Sequence, residues 1–238
     1  YLSIGEDGTI YVSSAEYNYN GPKNKLLAVN KDGTLKWEYK MPGGVYSKPA
    51  IGKDGTIYFS TSNSQYSWQY FYAINSDGSL KWKFNVKSAA STPAIGDDGT
   101  IYFVVREELF ALNIDGTIKW TFVDIDNTLV GNVSSPAIGE DGTIYYGTGN
   151  KFYAINADGT SKWTFEDNEG RFYFAPAIGK DGTIYTGISV YSQYIKNKLC
   201  AINPDGTLKW VFRATGYNWY VQSHFFKTPV IGRDGTIY

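Results

Sequence analysis

The chain is 238 residues long and 42% apolar, with 22 Lys and Arg against 23 Asp and Glu for a net charge of −1. That balance excludes the basic stripe that nucleic-acid binding requires, and the lone Cys200 excludes an internal disulfide. No apolar run reaches the ~18 residues of a transmembrane helix, while 21 Tyr, 13 Phe and 7 Trp supply large rings with polar handles that suit both cores and wet binding surfaces.

The chain opens in mid-pattern at Tyr1-Leu2-Ser3-Ile4 without an initiator Met and stops in mid-pattern at Tyr238, so it reads as a mature or trimmed piece of a longer precursor. Its first run, IGEDGTIY from Ile4, returns with one or no changes at Ile51, Ile95, Ile138, Ile178 and Ile231. The glycines of these runs (Gly5, Gly52, Gly96, Gly139, Gly179 and Gly232) are spaced by 47, 44, 43, 40 and 53 residues. A second run follows each of the first five copies: AVNKDGTLKW at Ala28, AINSDGSLKW at Ala73, ALNIDGTIKW at Ala111, AINADGTSKW at Ala154 and AINPDGTLKW at Ala201. A proline precedes every copy of the first run but the opening one, at Pro49, Pro93, Pro136, Pro176 and Pro229.

Each unit predicts four strands. In the third these are TPAIG, TIYFVV, ELFALN and TIKWTF, rich in β-branched and aromatic residues and without helical periodicity. Asp-Gly pairs supply the turns between strands one and two and between strands three and four, Asp opening a type I turn and Gly taking the left-handed position of a G1 bulge. Four-stranded antiparallel units at a period of roughly 40–45 residues predict an all-β chain, a β-propeller of five complete blades plus a partial sixth. The repeats run over residues 1–46, 47–90, 91–133, 134–174, 175–226 and a partial 227–238, in a single domain; a solenoid is the weaker alternative. A longer parent with six to eight blades is the favoured account of the partial repeat, and a five-bladed ring with a redundant tail is second.

The A-(V/I/L)-N-x-D-G-(T/S)-x-K-W runs resemble the PQQ-like repeat propellers, a family that includes quinoprotein dehydrogenases and non-enzymatic relatives of the BamB type. The resemblance covers nearly the whole chain. It implies that Trp37, Trp82, Trp120, Trp163 and Trp210 dock against the neighbouring blade, and it implies an exported protein at the cell surface, in the periplasm or outside the cell. Ala to Trp spans ten residues here, one fewer than is usual in the quinoproteins, which marks a divergent branch.

All variation falls at one end of the blades, in the loops between strands two and three and the connections between blades. These segments are rich in aromatics and amides: SSAEYNYNGPKNK, STSNSQYSWQY, TGISVYSQYIKNK, EDNEGRFYF and RATGYNWYVQSHFF. Rings beside Asn, Gln and Ser suit stacking on a glycan or gripping an extended peptide or protein. Tyr17, Tyr19, Tyr66, Trp68, Tyr191, Tyr194, Tyr217 and Trp219 form the candidate ligand-binding arc; the plainer alternative is a packed lid. A quinone cofactor requires Ca²⁺ ligands and, in many quinoproteins, an adjacent Cys pair, so neither PQQ nor Ca²⁺ is expected. The N-x-D-G turns lack the first carboxylate and the closing Glu of a calcium loop. Asp124 and Asp126 in one connection, and Glu166, Asp167 and Glu169 in the next, offer carboxylate pairs of the kind used in glycoside hydrolysis; solvated loop acids are the plainer reading. His224, the single histidine, excludes a multi-His metal site, and Asn132 opens a glycosylation sequon. The expected function is a non-catalytic binding or scaffolding propeller, with no catalytic residue assigned. A PQQ-dependent dehydrogenase or a carbohydrate-active enzyme is the alternative.

Overall fold

A computed structural model describes residues 1–18, 21–62, 69–124, 133–190, 197–213 and 228–238, with backbone alone at 15–18 and 21–23. Every regular element among them is a β-strand. The first sheet is an antiparallel meander of β1 (Leu2–Ile4), β2 (Ile10–Asn18), β3 (Gly21–Val29) and β4 (Leu35–Met41). The second contains β5 (Gly44–Val45), β6 (Ala50–Ile51), β7 (Ile57–Ser62), β8 (Gln69–Ile74) and β9 (Leu80–Val86). The third contains β10 (Ala94–Ile95), β11 (Ile101–Val105), β12 (Glu108–Leu112) and β13 (Ile118–Phe122). The fourth contains β14 (Ala137–Ile138), β15 (Ile144–Thr148), β16 (Lys151–Ile155) and β17 (Ser161–Glu166). The fifth contains β18 (Arg171–Phe172), β19 (Ala177–Ile178), β20 (Ile184–Ser189), β21 (Lys198–Ile202) and β22 (Leu208–Arg213). A last hairpin is held by the Ile231–Ile237 bridge. Successive four-stranded antiparallel meanders of this kind are the blades of a β-propeller.

The turns follow from their chemistry. In IGEDGTIY the Gly8 N–H donates to the Gly5 carbonyl at 2.9 Å and the Gly5 N–H to the Thr9 carbonyl at 2.8 Å, a type I turn closed by a bulge. All eleven Asp-Gly glycines have φ between +76° and +89°, the left-handed region. In the second hairpin of a blade the register slips at the same place, Ala154 facing Trp163 while Ile155 faces Ser161.

The first strand of blades two to five is broken, a detail the periodicity does not predict. In blades two and five it comes in two pieces, β5 and β6 on β7, and β18 and β19 on β20. In blades three and four the first piece is a single bridge, Ala90 to Val105 and Val133 to Thr148. A proline without an N–H stands at each break. In blades two to four a serine repairs the ladder there: the N–H groups of Ser60, Val104 and Gly147 donate to the Oγ of Ser47, Ser91 and Ser134 at 2.9, 3.0 and 2.6 Å.

The described residues gather into two compact units, Tyr1–Val105 with Leu109–Lys119, and Arg106–Glu108 with Trp120–Tyr238. In both units the core lies between neighbouring blades. In the first, Phe71 of β8 stacks on Phe103 of β11 with centroids 4.1 Å apart. In the second, Phe152, Phe172, Ile188 and Cys200 form the equivalent seam.

Candidate functional site

The two ends of each blade carry different chemistry. At the turn end, the aspartate of the first hairpin is fully engaged within its own blade. Asp98 accepts the Thr100 N–H at 2.9 Å on Oδ1; its Oδ2 takes the Thr100 hydroxyl at 2.7 Å and the Lys119 ammonium at 2.9 Å. Asp7, Asp54, Asp141 and Asp181 repeat the arrangement with Lys36, Lys81, Lys162 and Lys209. The Thr100 N–H, helped by Lys119 and the Thr100 hydroxyl, outweighs desolvation and draws the Asp98 carboxyl down to about 2. In the second hairpin, Asp115 Oδ1 takes both the N–H and the hydroxyl of Thr117, at 2.9 and 2.6 Å.

The same end carries the seam between blades. The indole N–H of Trp37, Trp82, Trp120 and Trp163 donates to a carbonyl of the next blade, on Ser76, Ile114, Ala157 and Pro204, at 2.9–3.0 Å. Each acceptor is the variable residue of an N-x-D-G turn. The ring lies flat on the glycine two residues on: a Cβ placed on Gly78, Gly116, Gly159 or Gly206 would sit 2.7–2.8 Å from an indole carbon. Trp37, Trp82 and Trp163 are backed on their other side by Tyr11, Tyr58 and Tyr145 of their own blades, centroids 5.8 Å away. Trp210 keeps its tyrosine, Tyr185, but has no such acceptor among the described residues, and the residue is 37% exposed.

At the other end sit two lysine–aspartate pairs that sequence reasoning missed. Lys151 at the start of β16 meets Asp124, which follows β13, at 2.7 Å, and the Tyr153 hydroxyl donates to the same carboxylate at 2.9 Å. One blade on, Lys198 at the start of β21 is 3% exposed and meets Asp167 at 2.7 Å and Glu169 at 2.6 Å. Arg213 closes on Glu169 at 2.9 Å. Both lysines stand three residues before the Ala of the second run, and both aspartates four residues after the docking Trp. Aligning the repeats on those two residues exposes the pairing. Burial works to lower the Lys198 ammonium, but the bonds to Asp167 and Glu169 prevail and hold it above the ordinary lysine value. Glu169 is drawn down to about 2, chiefly by Lys198 and then Arg213.

These contacts bear on the candidate acids. Asp124, Asp167 and Glu169 each face a cation, and Glu166 accepts from the Asn150 amide at 2.7 Å. Asp126 lies outside the described residues, with Asn132 and His224. Among the described residues no group of three or more His, Cys, Asp and Glu is placed to hold a metal ion. No helix among them is long and apolar enough to cross a membrane. The Cys200 thiol is pushed up to about 12 by burial.

Of the candidate binding arc, Tyr17 lies in β2 with its backbone opposite Pro22. Tyr19, Tyr66, Trp68, Tyr191, Tyr194, Tyr217 and Trp219 lie outside the described residues. Near the roots of those loops, the first unit holds a described aromatic cluster in which Tyr72 meets Tyr39 at 6.1 Å and Tyr70 at 5.9 Å, with the Lys83 ammonium 4.7 Å over the Tyr70 ring.

No curated protein matches the chain by sequence. Among solved structures, BamB from Moraxella catarrhalis superposes with a TM-score of 0.63 at 13% identity, over 91% of this chain and 76% of that one. A streptogramin B lyase gives a TM-score of 0.67 at 18% identity, over 99% of this chain and 74% of that one. The periplasmic gluconolactonase PpgL of Pseudomonas aeruginosa gives 0.63 at 15% identity, over 90% and 69%. At such identities the likeness is one of fold. The sequence itself goes further: the profile of the family described as outer membrane protein assembly factor BamB matches residues 69–215, more than half the chain, and the chain belongs to that family of PQQ-like repeat propellers.

Proposed function

We propose that this propeller is a non-catalytic scaffold that binds an extended segment of another protein at the variable end of its blades. The division between the two blade ends carries this reading. At the turn end the Asp, Thr and Lys side chains are engaged inside the fold in the same pattern in all five blades, and the Trp side chains in the first four. The aromatic and amide-rich segments all belong to the other end, where scaffolded loops serve recognition. A protein partner is favoured over a glycan because the family takes its description from an assembly factor for outer membrane proteins. The same description supports export from the cytoplasm.

The enzymatic alternative is weakened by the state of its acids. A general acid needs a carboxyl raised toward neutrality, whereas Glu169 is drawn down to about 2 by Lys198 and Arg213. The absence of PQQ and Ca²⁺ chemistry is part of the proposal. It is supported by the single cysteine, which precludes an adjacent Cys pair, and by first-turn aspartates already saturated with internal donors.

Peptide display and a glycan array, run on the wild type and on a Trp68→Ala, Trp219→Ala double variant, test the reading. Extended peptides captured by the wild type and lost at least about tenfold by the double variant are expected, since a few aromatic anchors dominate such binding. Equal capture by both proteins overturns the aromatic arc, and capture of glycans alone overturns the protein partner. PQQ with Ca²⁺ binding tightly in calorimetry overturns the cofactor-free reading.

A further inference from the structure

One position of the repeat holds an oxygen-bearing side chain in every blade. Four residues before the Ala of the second run stand Asn24, Gln69, Glu107, Asn150 and Asn197, while the residue that follows is Lys, Tyr or Glu. The position lies at the variable end: Asn24 faces Met41 and Gln69 faces Val86, the last residues of β4 and β9. In blades four and five the fold uses it. Asn197 Oδ1 accepts the Val190 N–H at 3.3 Å, and the Asn150 amide donates to Glu166 at 2.7 Å.

In blades one to three the same position is left unserved. Asn24 Oδ1, Gln69 Oε1 and Glu107 Oε2 are shut off from solvent and accept no hydrogen bond. Among the described residues, every buried amide or carboxylate oxygen in that condition belongs to this position. A strong acceptor buried without a donor forfeits its hydration, so each of these oxygens weakens the free fold. Leu26 and Phe71, two residues on from Asn24 and Gln69, are buried at no such cost. Groups that act against stability are kept where binding needs them. Around Asn24, which is 4% exposed, the way in for a donor is visible: its oxygen lies 3.6 Å from a Cβ built on half-buried Gly44, so the wall beside it is bare backbone. Glu107 adds charge. Neither it nor Glu108 has an ion-pair partner among the described residues, whereas Asp124, Asp167 and Glu169 at the same end each meet a cation.

We propose that this repeat position supplies the hydrogen-bond acceptors for the extended segment bound at the variable end. Asn24 and Gln69 receive amide N–H donors of the segment, and Glu107 receives the ammonium or guanidinium of a Lys or Arg in it. The inference rests on the protein-binding reading above and states what the bound segment must carry.

Two measurements test it. In the free protein, Asn24→Leu and Gln69→Met remove an unmet acceptor and are expected to leave Tm unchanged or raise it by up to about 4 °C. Asn197→Leu strands the Val190 N–H and is expected to lower Tm by about 2–4 °C. A fall for Asn24→Leu and Gln69→Met as large as for Asn197→Leu overturns the proposal, because an internal water then already serves those oxygens. The second measurement uses the extended peptides that the wild type captures in display. The Asn24→Leu, Gln69→Met double variant is expected to bind them at least about tenfold more weakly without loss of Tm. Glu107→Gln is expected to move the selected sequences away from Lys and Arg, and an unchanged selection overturns its assignment. Equal binding by the wild type and the double variant overturns this inference and leaves the protein-binding reading standing. Failure of the wild type to capture any peptide overturns both.

Discussion

At the scale of the residue, one glycine position separates two costs that usually travel together. Gly33 and Gly159 have φ of +87° and +89°, so alanine at either must adopt the left-handed conformation. That strain costs about 1–2 kcal/mol. Only Gly159 also faces an indole, with Trp120 Cδ2 2.8 Å from the added methyl. Gly159→Ala is therefore expected to exceed Gly33→Ala by about 2 kcal/mol or more in urea unfolding, from the lost Trp120 seat. Equal costs leave the ring no role in stability.

The aspartates set the acid limit. The Asp98 and Asp181 carboxyls lie at about 2 in the fold, Asp98 held chiefly by the Thr100 N–H and Asp181 by the Thr183 hydroxyl, against an ordinary aspartate value near 4. A depressed folded value contributes stability that is complete above about pH 4 and is lost as pH falls through about 2. Acid unfolding followed by circular dichroism is expected in that window. Lys119→Met should move its midpoint to higher pH, modestly, because the pair is solvent-screened.

At the scale of the element, the broken first strand places a side chain where a ladder needs a backbone group. Ser134 is fully buried and its Oγ takes the Gly147 N–H at 2.6 Å. Ser134→Ala leaves that amide buried without an acceptor and is expected to cost about 1–3 kcal/mol in chemical unfolding. Blade five offers a built-in comparison, since Phe174 stands at the corresponding place, two residues before Pro176. The lysine pairs at the variable end behave differently. Lys198→Met strands Asp167, 12% exposed, without its cation, an arrangement that typically costs about 3–5 kcal/mol. Adding Asp167→Leu should recover part of that loss, so the double variant costs less than the sum of the singles. Strict additivity means the pair contributes no coupling.

At the scale of the whole molecule, what was legible in the sequence is what repeats. Asp-Gly turns, the four strands of each blade and the positions of the five tryptophans all follow from a period of 40 to 53 residues. The reason is physical: a turn needing left-handed backbone tolerates almost nothing but Gly, so it stays visible in every copy. The lysine–aspartate pairs escaped because the aspartate position holds Met41 and Val86 in the first two blades and the lysine position holds Tyr70 and Glu108 in the second and third, so periodicity there is broken. The interrupted first strands escaped because a two-residue strand has too few residues to show alternation. The candidate binding loops are aperiodic by nature. Their composition suggests recognition, but composition sets no geometry.

The receiving group at each docked seam is a main-chain carbonyl, carried by serine, isoleucine, alanine and proline in turn. The tryptophan contact therefore does not read which blade it meets. A gene that gains or loses one unit by unequal recombination preserves this indole-to-carbonyl contact at the new joint, and only the apolar side chains between the blades have to adapt. Blade number in this lineage is thus free to drift faster than blade chemistry, and close relatives with different numbers of units are the expected trace.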